Sequence, residues 1–149
     1  MTRKLYIGAD SAGFLLKQEV IAYLESKGYE CADLGCDSTE SCHYPIFAEK
    51  VCEAVQSDLH GSFGILICGT GIGMSMCANK HKGIRAAVCS DTYSAKMTRC
   101  HNDANVLCIG ARVIGSCLAL DIIDAFLGAE YEGGRHAIRV GMMTDIENK

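Results

Sequence analysis

The chain has 149 residues, 49% of them hydrophobic and 21% charged, with a formal net charge of -4. That is enough for one domain with a good core and too little for two ordinary ones, so residues 1–149 read as a single domain. The acidic balance argues against non-specific nucleic-acid binding. No apolar run approaches the ~20 residues that span a membrane.

A strand pattern begins almost at once, over Lys4 to Ala9. It leaves no room for a signal peptide and predicts a cytoplasmic protein. Asp10-Ser11 follow as a turn and helix cap, and Ala12 to Lys27 repeats apolar residues at helical spacing (Leu16, Val20, Leu24) until Gly28. Tyr29 to Leu34 reads as a second strand and Gly35 to Tyr44 as a polar loop. Pro45, the only proline, suits the first turn of a helix to about Ser57. Phe63 to Cys68 is a third strand and Gly71 to Asn79 a third helix. Ile84 to Cys89 and Asn105 to Ile109 complete five strands, separated by a helix from Asp91 to about Arg99. Gly115 to Leu127 is amphipathic, and a helical tail runs from Arg135 to about Ile146.

Strands alternating with helices of this length predict parallel β-α-β units, helices on both faces and right-handed crossovers. The expected fold is a single Rossmann-like, three-layer α/β domain: a five-stranded parallel sheet with a C-terminal helical tail. Such sheets take ligands beyond the carboxyl ends of their strands. Those ends carry Asp10-Ser11, Cys68 to Gly73, Ser90-Asp91 and Gly110-Ala111-Arg112.

The Cys68-Gly69-Thr70-Gly71-Ile72-Gly73 stretch is the most informative. Glycines at alternate positions let backbone N–H groups face one concavity and hold an anion. The helix behind them adds its own unpaired N–H groups. A thiol in front of such a nest is expected to have its pKa drawn down towards neutrality. Alone, the three glycines are a weak signal, since they also serve simply to make a turn.

Ten cysteines raise the question of disulfides. Most lie in apolar or helical runs, where cysteine acts as a small buried hydrophobe. No Cys-x-x-Cys occurs, and Cys31, Cys36, Cys42 and His43 match no common zinc spacing. Reduced, unpaired thiols and no metal are expected. The first turn, Gly8 to Gly13, lacks the middle glycine of a dinucleotide fingerprint, and no phosphate-binding Gly-x-x-x-x-Gly-Lys-[Ser/Thr] motif is present. No cofactor is expected.

His101-Asn102-Asp103, between the fourth helix and fifth strand, reads as a polar loop. His101 is nevertheless the histidine best placed for acid–base work. Arg135 and Arg139 share one face of the tail helix. They suit a solvated, salt-bridged face or a phosphate clamp offered to a neighbouring subunit, and both readings stay open.

Together, Gly8-Ala9-Asp10-Ser11-Ala12-Gly13, Tyr44-Pro45, Ile67 to Gly73, Asn79-Lys80, Gly83-Ile84-Arg85-Ala86, His101 to Asn105 and Gly133-Gly134-Arg135-His136-x-x-Arg139 resemble the type B ribose-5-phosphate isomerases. That family also includes galactose-6-phosphate isomerase subunits and allose-6-phosphate isomerases. The resemblance implies a cofactor-free isomerase of a sugar phosphate, and a homodimer or tetramer with sites at the subunit interface. It implies Cys68 as base with Thr70 beside it, Gly69, Gly71 and Gly73 on the sugar oxygens, and His101 opening the furanose ring. Asp10, Ser11, Tyr44 and Asn102 fall among the substrate-binding positions, and Arg112, Arg135 and Arg139 match the phosphate and substrate arginines.

Two departures stand out. Ser11 occupies a position where the family usually has a histidine associated with the phosphate end, and Ser11 carries no charge. His43 stands where an aspartate is expected, and a histidine before Tyr-Pro resembles the galactose-6-phosphate isomerase subunits. A hexose 6-phosphate substrate, a non-catalytic phosphosugar-binding module and a thiol-redox role are the competing expectations.

Overall fold

Each apolar run becomes a strand, and all five strands enter one sheet. The computed structural model describes residues 3–149; Met1 and Thr2 lie outside the described residues. In chain order the elements are β1 (Lys4–Ala9), α1 (Phe14–Ser26), β2 (Cys31–Asp33), α2 (Tyr44–Gln56), β3 (Ser62–Cys68), α3 (Ile72–Ala78), β4 (Ala86–Val88), α4 (Thr92–Asn102), β5 (Val106–Gly110), α5 (Ser116–Leu127) and α6 (Arg135–Glu147). The sheet order is β2-β1-β3-β5-β4, with every pairing parallel.

The pattern of burial explains the order. Every residue of β3 and β5 is buried, as a strand covered on both faces requires, and these two lie at the centre. Side chains alternate between faces. Phe63, Ile65 and Ile67 of β3 join Leu16, Val20, Leu24, Ile122, Ile123 and Phe126 beneath α1 and α5. Leu66 and Cys68 point the other way, towards Val51, Val55 and Met74 of α2 and α3. Helix α2 packs on α3, and α4 packs on α5, giving the three expected layers. Among the described residues no helix is long and apolar enough to cross a membrane.

Four elements depart from the sequence reading by more than one residue at an end, each for a local reason. Strands β2 and β4 shrink to three residues because they are edges, paired on one side only. Helix α1 starts at Phe14, and Gly13 rather than Asp10 or Ser11 is its cap. The Asp10 carboxylate instead accepts the Gly13 N–H at 3.1 Å and closes a turn ahead of the helix. Helix α4 continues through His101 and Asn102, so these residues lie on its last turn and not in a loop. Asp103 ends it in the left-handed region (φ 49°), its carboxylate gripped by Arg99 at 2.8 Å and Arg85 at 2.9 Å.

Lys17 is fully buried in the apolar stripe of α1. Its ammonium pairs with Asp33 and donates to the Cys36 carbonyl at 2.8 Å, tying α1 to the exit of β2. Phe126 meets Phe63 edge-to-face at 5.4 Å and is fully buried. Phe126→Ala is expected to cost about 3–5 kcal/mol of unfolding free energy in a urea titration, through a cavity the rigid sheet cannot close.

Candidate active site

The carboxyl edge of the sheet is stitched together by backbone bonds between neighbouring strand ends. Asp10 N–H donates to the Ile67 carbonyl (3.2 Å), Ala111 N–H to Cys68 (2.9 Å) and Arg112 N–H to Gly69 (3.0 Å). Cys68, the last residue of β3, sits opposite Gly110 of β5 and is 5% exposed. The Gly71 N–H points at its Sγ from 3.1 Å. A hydrogen bond of this kind is strongest when the acceptor is negatively charged.

Two glycines make this approach feasible. Gly71 adopts φ +78°, and a Cβ there would stand 2.9 Å from the Ile109 backbone. A Cβ on Gly110 would stand 2.6 Å from the backbone of Thr70. Thr70 is exposed, and its hydroxyl accepts the Ile72 N–H at 3.3 Å. Helix α3 has only seven residues, so its dipole adds less than the longer helix expected from sequence. The loop N–H groups are the stronger feature.

Around this loop lie most of the expected residues. The Tyr44 ring covers Gly73, within 2.7 Å of where a Cβ would stand. The Arg112 side chain lies along Gly69, its Nη1 3.5 Å from a Cβ position there. Asp10 and Ser11, both half-buried, leave β1 at the same edge. All ten cysteines are free. Burial pushes the Cys52 thiol up to about 12 and those of Cys31 and Cys89 up to about 11, and Cys108 is driven well above the ordinary range. Those four are inert packing groups.

The remaining expected residues stand elsewhere. Helix α4 begins beyond β4 and runs back, antiparallel to the strands, so His101 and Asn102 arrive just before β5 starts. With five residues in β5, this amino edge lies roughly 13 Å from the Cys68 edge at ~3.3 Å per residue. His101 stacks on His136, the ring centroids 4.2 Å apart and the planes 10° from parallel. Arg135 and Arg139, on the first turns of α6, are exposed on the same side. Desolvation lowers the His136 pKa below its ordinary 6.5, with His101 and Arg135 adding to the effect.

Glu132 completes this second group and was missed in the sequence. Its Oε2 is 3.5 Å from His136 Nε2 and 4.0 Å from His101 Nε2. The Glu132-x-x-x-His136 spacing was the available signal. A cavity of about 820 Å³ opens between Arg3, Tyr29, Phe63, Arg99 and Tyr131 and contains none of the expected site residues. One chain thus presents two separate groups, a thiol and glycine loop at one edge and an imidazole–arginine cluster at the other.

An open parallel sheet with its glycine-flanked thiol at the carboxyl end of a central strand defines an α/β domain of the kind that binds small ligands at that edge. The chain belongs to the ribose/galactose isomerase family, whose model matches residues 5–143. It is 51% identical to ribose-5-phosphate isomerase B of Escherichia coli strain K12 over 148 residues, 99% of this chain and 98% of that protein. It is 50% identical over 135 residues to a D-erythrulose-4-phosphate isomerase of Pectobacterium atrosepticum, covering 90% of this chain and 88% of that protein. The crystal structure of ribose-5-phosphate isomerase B from Mycoplasma genitalium with bound ribulose-5-phosphate superimposes with a TM-score of 0.96 at 37% identity, over 100% of this chain and 99% of that one.

Gly71→Ala forces a side chain into a left-handed position against the Ile109 backbone. It is expected to cost more than about 1 kcal/mol of stability, measured by urea unfolding. An unchanged midpoint would contradict the steric reading of the loop.

Proposed function

We propose that the chain is a cytoplasmic aldose–ketose isomerase interconverting ribose 5-phosphate and ribulose 5-phosphate through an enediol, with Cys68 as base. Each site is proposed to be assembled from two copies of the chain. The observation that carries this assembly is the separation of the half-sites: Cys68 and His101 occupy opposite edges of one sheet. A second copy supplies the missing half without refolding either. Helix α6 supports the same reading, because Ile138, Met142, Met143 and Ile146 are all exposed on it. An apolar surface of that kind marks an interface. The assembly is a homodimer or a tetramer built from such dimers.

The chemistry follows from the groups in place. His101 of one copy takes the anomeric hydroxyl proton and returns a proton to the ring oxygen, opening the furanose. The Cys68 thiolate of the other copy removes the C2 proton, giving a thiol and an enediolate. The proton on O2 passes to O1, and the thiol returns its proton to C1, so no electron donor or metal enters the balance. Each positioned acid or base of this type contributes roughly 10² to 10⁴ in rate. The developing oxyanion is assigned to the loop N–H groups between Gly69 and Gly73 other than those of Gly71 and Ile72, which bond Cys68 and Thr70; one good donor is worth about 3 kcal/mol. Arg112, Arg135 and Arg139 hold the phosphate by charge-assisted bonds, while Asp10, Ser11, Tyr44, Thr70 and Asn102 keep the sugar in register.

Ser11 favours one second reading. A short, neutral side chain at the phosphate end leaves room for a larger substrate, such as a hexose 6-phosphate, whereas the 50% identity to a D-erythrulose-4-phosphate isomerase points to a smaller one. Turnover of ribose 5-phosphate, measured beside allose 6-phosphate, galactose 6-phosphate and erythrulose 4-phosphate, decides between them. Binding without turnover of any would instead indicate a phosphosugar-binding module. Cys68→Ala is expected to abolish isomerisation while calorimetry still shows ribulose 5-phosphate binding; full retained activity would refute the base.

A mixing experiment tests the shared site. Cys68→Ala and His101→Gln are each expected to be inactive alone. When co-expressed, they are expected to regain activity, because a mixed dimer holds one intact site. Failure to recover activity in a verified mixed dimer would place both residues in a site made by one chain.

A further inference from the structure

We propose that His101, Glu132 and His136 form a binding site for a borderline-soft divalent cation of the Zn²⁺ class, whose occupancy withdraws His101 from catalysis. The donor atoms of the three residues all lie within 4.8 Å of one another. Ligand bonds of ~2.0–2.2 Å in a tetrahedral site separate the donor atoms by roughly 3.4 Å. Glu132 Oε2 and His136 Nε2, at 3.5 Å, already meet that spacing. His101 Nε2, 4.0 Å from the same oxygen, closes on the ion only when its ring turns out of the near-parallel stack with His136.

The three residues differ in freedom in a way that suits such closure. His136 is buried at the start of α6, while the His101 side chain, on the last turn of α4, is 37% exposed and has room to turn. Glu132 is anchored by its backbone, which donates to the Cys100 carbonyl at 3.0 Å, while its side chain is 56% exposed and free to swing. Two neutral imidazoles and one carboxylate select Zn²⁺, Cu²⁺, Ni²⁺ or Co²⁺ over Mg²⁺ or Ca²⁺, which prefer oxygen ligands. Arg135 and Arg139 act on His136 with opposing charge. A cation must therefore be held by its bonds to nitrogen rather than by the local field, which sharpens the same selection. Three protein ligands leave a fourth position open to water.

Metal binding is independent of the proposed isomerase activity; the inhibition rests on it. Protein stripped with a chelator and desalted is titrated with Co²⁺, and with Zn²⁺ in competition. One ion per chain is expected, with visible d–d absorption and no sulfur-to-metal charge transfer. Glu132→Gln and His136→Gln are each expected to weaken binding by roughly tenfold or more, and Zn²⁺ should raise the melting temperature of the parent protein but not of these variants. Absence of binding, affinity unchanged in both variants, or an intense thiolate band would overturn the site. In the isomerase assay, Zn²⁺ is expected to inhibit the parent protein at the occupancy measured by titration. Binding without inhibition in an active enzyme would keep the site and overturn its effect on His101. An inactive protein that binds Co²⁺ would count against the isomerase reading alone.

Discussion

The pairing of β3 with β5 is the constraint on which the rest depends. These are the two strands buried along their whole length, and their register sets Cys68 against Gly110. Because Gly110 has no side chain, the Thr70 backbone can close over it, and the bonds from Ala111 and Arg112 then fix the thiol loop to the neighbouring strand. The result is a rigid frame around one sulfur atom, built from backbone rather than from mobile side chains. Such preorganisation suits a reaction whose charge appears only transiently.

Parallel strands carry a second consequence. Every strand ends on the same edge, so each helix must return the chain to the opposite one, and a residue late in a helix necessarily lies far from the strand ends. Position along an element thus decides which edge a residue occupies. Cys68 closes a strand and His101 lies on the last turn of a helix, and this difference alone separates them. The proposed sharing of sites between subunits starts from this separation.

The architecture was legible because hydrophobic periodicity reports burial, and burial decides strands and helices in a doubly covered sheet. The carboxyl-edge residues were legible for the same reason: a thiol between an apolar run and three glycines can hardly stand elsewhere. Less visible were features set by tertiary partners. The stop of α4 depends on Asp103 being held by Arg85 and Arg99, one of them eighteen residues away. Lys17 reads as a solvent-facing charge, and only the returning β2 exit supplies the partners that allow its burial. Glu132 sits in a polar turn and gains meaning only when α4 and α6 bring two imidazoles to it.

Gly133 and Gly134 both adopt positive φ, 65° and 57°, immediately before α6. The double left-handed turn directs that helix away from the sheet, leaving His136 as its one buried residue. Beyond His136 and the Glu147 carboxylate, which accepts the Gly83 N–H, the helix has little hold on its own domain, and a neighbouring copy would add support. In an assembly of the proposed kind, dilution would remove that support and the second half-site together. Specific activity would then fall with protein concentration, and abundance itself would act as a threshold on flux.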